Sequence, residues 1–232
     1  MTLTEPVFTP KSTGTLPAAE VVYPDSDGQP MADNTKQFRH IMTIQGGLAA
    51  LFANRPDVFV AGDLLWYPVE GRNTIRAAPD VMVVFGRPPG DRGCYQQWRE
   101  ADQAPQVVFE ILSPGNTTAE MVRKFDFYQR YGVEEYYLYD PDRGSLRGWQ
   151  RRSGQLYEIT GMHGWISPWL GVRFALEGTE LVLYRPDGRR FESFIELDQR
   201  AEADRQRAEA EYQRAERLAE RLRALGVDPD QL

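Results

Sequence analysis

Residues 107–141 have the sequence VVFEILSPGNTTAEMVRKFDFYQRYGVEEYYLYDP, and this stretch decides the fold. Its start is apolar and β-branched, so the sequence predicts a strand over 106–112. The pattern Thr117-Thr118-Ala119-Glu120 is typical of a capping box and predicts a helix that runs to about Tyr131. Residues 135–140 predict a second strand. These elements indicate a sheet with a helix packed on it.

The preceding residues add further elements to the same domain. Apolar residues recur at spacings of three and four between Asn34 and Pro56, which predicts an amphipathic helix. Residues 58–67 and 79–85 predict two more strands, and a long loop over 86–104 follows them. The order of helix, three strands, helix and strand predicts an α/β fold, a mixed sheet flanked by helices.

Beyond Asp140 the chain contains short strand patterns separated by turn residues, which predict a small antiparallel β extension. The predicted strands cover 146–150, 156–159, 172–176 and 181–184. From Ser193 onward Ala, Glu, Arg, Gln and Leu dominate, which predicts a long C-terminal helix. We therefore divide the chain into an irregular N-terminal arm at 1–30, one α/β domain at 31–192 and the C-terminal helix at 193–232.

Apolar residues of the C-terminal helix recur at seven-residue spacing and outline a coiled-coil seam. They are Phe194, Ala201, Ala208, Ala215 and Leu222, with Leu197, Leu218 and Leu225 three positions further on. Asp204 and Glu211 interrupt this seam. Two interpretations stay open: a helix that self-associates and a single solvated helix.

Composition restricts the class of protein. The 232 residues include one cysteine, Cys94, and two histidines, His40 and His163, so we expect no intrachain disulfide and no zinc or haem site. A bound metal must then have oxygen ligands. No apolar run approaches the roughly 20 residues that a membrane-spanning helix needs, and the first residues lack the pattern of a secretory signal. We expect a soluble, cytoplasmic protein with no membrane partner.

The net charge of −7 argues against a nucleic-acid partner, because phosphate neutralisation calls for a basic surface. A basic cluster, Arg147-Gly148-Trp149-Gln150-Arg151-Arg152, weakens that objection. The cluster has two interpretations: a solvated hairpin whose arginine stems pack on Trp149, or a patch that contacts a nucleic-acid backbone.

Three residues form the candidate site. Glu110 lies in an apolar strand, where a buried carboxylate needs a cation or another partner. Asp80 begins the preceding strand, and if the strands are neighbours both carboxylates can share a magnesium ion at one end of the sheet. Lys124 lies in the second helix, which can direct its ammonium group toward the acids. Each also has a structural interpretation: an ion-paired strand residue, a strand-entry residue and a snorkelling helix residue, respectively.

Weaker candidates surround these three. Asp63 and Glu70 could each add a ligand, although turn or edge positions suit them better. Asn34 and Gln37 could hold the water shell of an ion, although helix capping suits them better. The tyrosines of this region could stack on bases, but their spacing places most of them in the core. They are Tyr128, Tyr131, Tyr136, Tyr137 and Tyr139.

Three segments carry a resemblance to a known family: VFVAGDLLWYPVEG (58–71), APDVMVVFG (78–86) and the stretch 107–141. They resemble the Uma-type putative restriction endonuclease family of the PD-(D/E)XK nuclease superfamily, and the resemblance covers roughly residues 30–190. It implies a restriction-endonuclease-like core with a magnesium-dependent nuclease site.

The resemblance also implies roles for individual residues. Asp80 matches the aspartate of the PD element, and Glu110 matches the acid of the third strand. The superfamily lysine stands two residues after that acid, where this chain has Leu112. The resemblance therefore implies a lysine moved to the next helix, which is Lys124.

These observations lead to a main hypothesis and two rivals. The main one is an endonuclease that cuts DNA with Asp80, Glu110 and Lys124, in which the two acids bind Mg²⁺ or Mn²⁺. It would act as a homodimer through the nuclease domain or the C-terminal helix. The first rival is a non-catalytic binding module with a coiled-coil tail, and the second is a similar enzyme acting on RNA or a nucleotide. The main hypothesis predicts that the two carboxylates lie within about 6 Å of each other, as shared metal ligands must.

Overall fold

The computed structural model describes residues 21–28, 30–226 and 228. The helices of this part are α1 (Thr35–Leu51), α2 (Thr118–Arg130) and α3 (Phe194–Ala224). The strands are β1 (Val58–Gly62), β2 (Trp66–Tyr67), β3 (Val81–Phe85), β4 (Tyr95–Gln96), β5 (Val107–Ile111), β6 (Glu135–Asp140), β7 (Ser145–Arg152), β8 (Gln155–Glu158), β9 (Arg173–Glu177) and β10 (Glu180–Tyr184). Residues 1–20 and 29, which belong to the predicted N-terminal arm, lie outside the described residues, as do 227 and 229–232.

Six strands form one mixed sheet in the order β1-β3-β5-β6-β7-β8. β5 and β6 pair in parallel, and the other neighbours in this sheet pair antiparallel. A parallel pair needs a crossover connection, which α2 provides. β9 and β10 form a separate antiparallel pair, whereas β7 and β8 extend the main sheet. The predicted α/β fold, a mixed sheet flanked by helices with a small antiparallel extension and a long C-terminal helix, is confirmed.

Other elements pack on both faces of the sheet, and a separate hydrophobic core lies on each face. Val81 and Val83 of β3 pack in the core that includes Ile44 of α1. Met82 and Val84, which alternate with them, pack in the core that includes Tyr128 of α2. Because both faces are buried, the central strands have continuous apolar sequences rather than alternating ones.

Helix α1 is tied to the sheet at its N-terminal end. The side chain of Asn34 accepts a hydrogen bond from the backbone N–H of Gln37 at 2.9 Å and so caps the helix. The buried side-chain amide of Gln37 donates to the carbonyl oxygen of Ile111 at 2.8 Å. This bond connects α1 to the end of the strand that carries Glu110.

Helix α3 begins with a complete capping box between Ser193 and Glu196. No residue of α3 is buried, and its large apolar side chains, among them Phe194 and Leu218, are exposed. The predicted seam therefore faces solvent in the single chain, and self-association stays a prediction. Within the described residues no helix is both long enough and apolar enough to cross a membrane.

Gly46 and Gly47 are neighbours on α1 with different surroundings. A Cβ atom at Gly47 would lie 2.2 Å from Cδ2 of the Phe191 ring, whereas one at Gly46 would meet no atom within 4 Å. Phe191 is buried, so its ring has little space into which it can move. Close packing therefore leaves no room for a side chain at Gly47, whereas a side chain at Gly46 would fit.

We expect Gly47→Ala to lower the free energy of unfolding by about 1–3 kcal/mol, because overpacking forces the Phe191 ring out of place. Gly46→Ala is the matched control and should raise it by about 0.5–1 kcal/mol through helix propensity. Urea unfolding of both variants measures the difference. Stabilisation by both substitutions would contradict the packing of Phe191 against α1.

Candidate active site

The two predicted acids lie next to each other at one end of the sheet. Val81 of β3 pairs with Phe109 of β5, so Asp80 and Glu110 occupy the next opposing positions. Opposing residues of antiparallel strands have Cβ atoms about 4.5–5.5 Å apart. Oδ2 of Asp80 accepts a hydrogen bond from the backbone N–H of Ile111 at 2.6 Å, which holds this carboxylate against β5.

Lys124 joins the two acids from helix α2. Its ammonium group donates to Oε2 of Glu110 at 2.7 Å and to the carbonyl oxygen of Ala78 at 3.4 Å. The helix packs on the face of the sheet toward which Glu110 points, so the side chain is directed inward. The structure thus brings Asp80, Glu110 and Lys124 together in one place.

Tyr128 is a fourth member of this group that the sequence interpretation assigned to the core. Its hydroxyl donates a hydrogen bond to Oε1 of Glu110, the oxygen that Lys124 does not contact. Tyr128 stands four residues after Lys124, so both side chains lie on one face of α2. That spacing was the available signal. It could not show that the hydroxyl, and not only the ring, faces the acids.

Burial and mutual repulsion control the charges of the site. Asp80 is 8% exposed and Glu110 is 3% exposed. Burial, followed by the charge of Glu110, raises the pKa of Asp80 well above its usual value. Burial lowers the pKa of Lys124, but the charges of Glu110 and Asp80 outweigh it and the pKa is raised overall. One ammonium group faces two carboxyl groups, so negative charge is in excess when both acids are ionised.

Asp80 and Lys124 line a cleft of about 590 Å³, and Glu110 lies behind them, bonded to Lys124. Its charged lining residues are Asp27, Asp33, Asp63, Asp80, Glu120, Arg76, Arg123 and Lys124. Glu120 belongs to the predicted capping box, which forms only in part. Thr117 Oγ1 accepts from the backbone N–H of Glu120 at 3.2 Å, but the Glu120 carboxylate accepts from the side-chain amide of Asn116.

The weaker candidates separate into those in the cleft and those outside it. Asp63 follows β1, and its backbone N–H donates to the carbonyl oxygens of Pro79 and Asp80 at 3.1 and 3.3 Å, which places it beside the acids. Burial raises the pKa of Asp63. Glu70 does not line the cleft. Gln37 does, but its side-chain amide is engaged with the backbone of Asp33 and Ile111.

Most of the tyrosines are core residues, as their spacing indicates. Tyr128, Tyr136, Tyr137 and Tyr139 are buried, so they offer no platform for stacking on bases.

Two arginines of the basic cluster at 147–152 make their contacts within the fold. Arg147 lies over the ring of Trp149 at 4.7 Å and pairs with Glu158, and the guanidinium of Arg151 donates to backbone carbonyl oxygens.

The donors of the site fit a hard divalent cation. Asp80 and Glu110 supply carboxylate oxygens, and their excess negative charge would be neutralised by such an ion. In the part of the chain that the structure describes, no group of three or more His, Cys, Asp or Glu residues could hold a metal. An ion held by these two carboxylates alone would have to keep several waters as its remaining ligands.

Removing one of the two charges should stabilise the metal-free protein. In Asp80→Asn the amide oxygen can still accept from Ile111, while the repulsion with Glu110 is lost. We expect a gain of about 1 kcal/mol, or about 2–4 °C in Tm for a chain of this size. The raised pKa of Asp80 destabilises the native state as pH rises through that pKa, so the gain should be larger at neutral pH than below pH 4.

Thermal unfolding in a chelating buffer measures this gain, with Asp187→Asn as control. Asp187 is exposed and pairs with Arg189, so its neutralisation should not raise Tm. Addition of Mg²⁺ should stabilise the wild-type chain more than Asp80→Asn by mass action. A lower Tm for Asp80→Asn than for the wild type in chelator would contradict the repulsion between the two acids.

Comparison with known proteins identifies the family of the chain. No curated protein matches the chain. One similar solved structure is that of a putative nuclease belonging to DUF820 from Anabaena variabilis, with 15% sequence identity and a TM-score of 0.45 over 60% of this chain and 74% of that chain. The family model described as Uma2, putative restriction endonuclease, matches residues 16–177, which include Asp80, Glu110 and Lys124. This match spans more than half of the sequence, and the chain belongs to the Uma2 family of putative restriction endonucleases.

Proposed function

We propose that this chain is a magnesium-dependent endonuclease that hydrolyses phosphodiester bonds in DNA. One observation carries the proposal: the buried carboxylates of Asp80 and Glu110 lie on opposing strand positions, Lys124 pairs with Glu110, and Asp80 and Lys124 line a cleft. Buried like charges destabilise a fold, and strongly shifted pKa values cluster at functional sites. Membership of the restriction endonuclease family supports the same chemistry.

In this proposal Asp80 and Glu110 hold the divalent ion, either Mg²⁺ or Mn²⁺. When bound, the ion supplies positive charge at the scissile phosphate and lowers the pKa of the attacking water. Asp63 lines the same cleft, where it would orient waters near the acids. The backbone N–H of Ile111 keeps one Asp80 oxygen in position and leaves the other available.

Lys124 acts as a donor. Its raised pKa keeps the ammonium group protonated, so it can orient the nucleophile or neutralise charge that builds on the phosphate. Tyr128 acts through Glu110 as a positioning residue, because its hydroxyl holds the second carboxylate oxygen. Burial raises the pKa of Tyr128 well above its usual value, so the hydroxyl stays neutral and keeps donating.

The position of the lysine distinguishes this chain from the superfamily pattern. Leu112 occupies the expected lysine position, two residues after Glu110, and side chains two residues apart share a face of a strand. Its backbone N–H donates to the carbonyl oxygen of Tyr139 at 2.8 Å, which continues the pairing of β5 with β6. A lysine directly after β5 and one from α2 can therefore serve the same carboxylate.

We further propose that the enzyme acts as a homodimer, through the nuclease domain or α3, so that two clefts meet two DNA strands.

The central test is cleavage of plasmid and single-stranded DNA in Mg²⁺ and in Mn²⁺. Asp80→Ala and Glu110→Ala should each lower the cleavage rate by roughly 10³-fold, because each removes a group that stabilises the transition state. Glu158→Gln is the control, since Glu158 pairs with Arg147 on the exposed surface. A chelator should abolish cleavage by the wild-type chain.

Equal cleavage by the wild type and by both alanine variants would contradict the assigned site. Absence of cleavage in every preparation, combined with binding of DNA, would favour the non-catalytic module, which the net charge of −7 and Leu112 already suggest. Cleavage of an RNA substrate and not of DNA would keep the site and change the substrate.

A second test examines the displaced lysine. Lys124→Ala should lower the cleavage rate by roughly 10²-fold, the usual effect of losing one donor to the transition state. In that background Leu112→Lys should recover part of the rate, because the new ammonium group approaches Glu110 from the same face of β5. Full activity of Lys124→Ala alone would contradict the role of Lys124.

A further inference from the structure

One face of helix α2 lies along the cleft. Glu120, Arg123, Lys124 and Phe127 all line it. Their spacings of three, four and seven residues place them in one stripe on the helix surface. Lys124 is directed down to Glu110 and Ala78, whereas Arg123, its neighbour, is exposed. The helix thus carries two cations at the cleft, one bound to the acids and one facing solvent.

A second arginine reaches the same cleft from another part of the chain. Arg76 lies in the segment between β2 and β3 and is half-buried. Ala78, two residues further on, accepts the hydrogen bond from Lys124 through its carbonyl oxygen, which places this segment beside the site. The guanidinium of Arg76 interacts with the hydroxyl of Tyr67, a neutral partner.

The two arginines differ from the paired arginines of the surface. Arg87 and Arg92 both pair with Glu100, and Arg147 pairs with Glu158. Within the described residues no ion pair involves Arg76 or Arg123. Glu120 stands one helical turn before Arg123, but its carboxylate accepts from the amide of Asn116.

Guanidinium groups without an ion-pair partner can bind a phosphate group. A guanidinium presents parallel N–H donors that match two oxygens of a phosphate group. Five of the eight charged residues that line the cleft are carboxylates, among them Asp27 and Asp33, and these repel a polyanion. A nucleic-acid backbone can enter such a cleft only where cations offset the repulsion.

We propose that Arg76 and Arg123 bind phosphates of the nucleic-acid backbone next to the bond placed at Asp80 and Glu110. This inference rests on the proposed function, because it takes the cleft to be the substrate site. The two arginines fix the position of the strand and carry no base specificity, since phosphate contacts are independent of sequence. The acids act at the reacting phosphate, and the arginines bind the phosphates next to it.

The test is equilibrium binding of the full-length chain to fluorescently labelled DNA, measured by anisotropy in Ca²⁺ in place of Mg²⁺ over a series of salt concentrations. The probes are a 20-nucleotide single strand, the same sequence as a duplex, and the matching RNA strand, on the order of the length that several phosphate contacts require. The variants are Arg76→Ala, Arg123→Ala and the corresponding lysine substitutions.

The control variant is Arg152→Ala. Arg152 is exposed, contacts only the neutral side chain of Gln150 among the described hydrogen bonds, and ends β7. β6 runs parallel to β5, and β7 runs antiparallel to β6. The last residue of β7 therefore lies at one end of the strands, and Ile111, the last residue of β5, lies at the other end. This arginine is therefore equally free of ion pairs and remote from the cleft.

We expect Arg76→Ala and Arg123→Ala each to weaken binding roughly tenfold and to reduce the slope of log affinity against log salt by about one, as loss of one phosphate contact does. The lysine variants should retain the slope, and Arg152→Ala should retain affinity and slope. The probe bound most tightly identifies the form of nucleic acid that the cleft accepts.

Three results would overturn parts of these proposals separately. Unchanged affinity and slope in both arginine variants would overturn the phosphate contacts while leaving cleavage, and with it the nuclease proposal, unaffected. Arginine-dependent binding without cleavage of any probe in Mg²⁺ or Mn²⁺ would overturn the nuclease proposal and keep the contacts. No binding of any probe by the wild-type chain would overturn both.

Discussion

A carboxylate in the middle of an apolar strand must be compensated, and in this chain Lys124 and Tyr128 compensate Glu110. The two donors come from one face of α2 and take one carboxylate oxygen each. They attach the crossover helix to β5 while they satisfy the buried charge. Asp80 is held differently, by the backbone of Ile111, and among the described residues it forms no ion pair. The excess negative charge at this end of the sheet follows directly from that arrangement.

Local sequence signals were sufficient for the strands and the helix on which the candidate site residues lie. A single acid inside an apolar run indicated Glu110, whereas Asp80 and Lys124 gained their candidate roles from their expected proximity to Glu110 and from the family resemblance. The strands themselves were predictable because continuous apolar runs indicate burial on both faces. The neighbouring positions of Asp80 and Glu110 then follow from the pairing of β3 with β5.

Other parts depend on packing between distant residues and leave no local signal. The hydroxyl of Tyr128 faces Glu110 because of how α2 lies on the sheet, and a tyrosine in a helical stripe is typical of any core. Arg76 lies in an irregular segment without periodicity. The basic run at 147–152 looked like a surface patch, yet the structure uses Arg147 and Arg151 within the fold. Net charge is a less direct signal than the lining of the cleft, because it averages over groups that are paired and groups that are not.

The residues that build the site are close together along the chain. Glu110 is 14 residues from Lys124 and 18 from Tyr128, and Asp80 is 31 residues from the backbone amide that holds it. The chain entropy lost on closing a loop grows with the logarithm of its length, so these contacts are among the less costly tertiary contacts to form. The hydrogen bond between Gln37 and Ile111 spans 74 residues. It attaches helix α1 to the site, whose other contacts form within the chain that follows α1. Everything after Tyr128, including the long helix α3, can therefore change in length without lengthening any loop that closes the site.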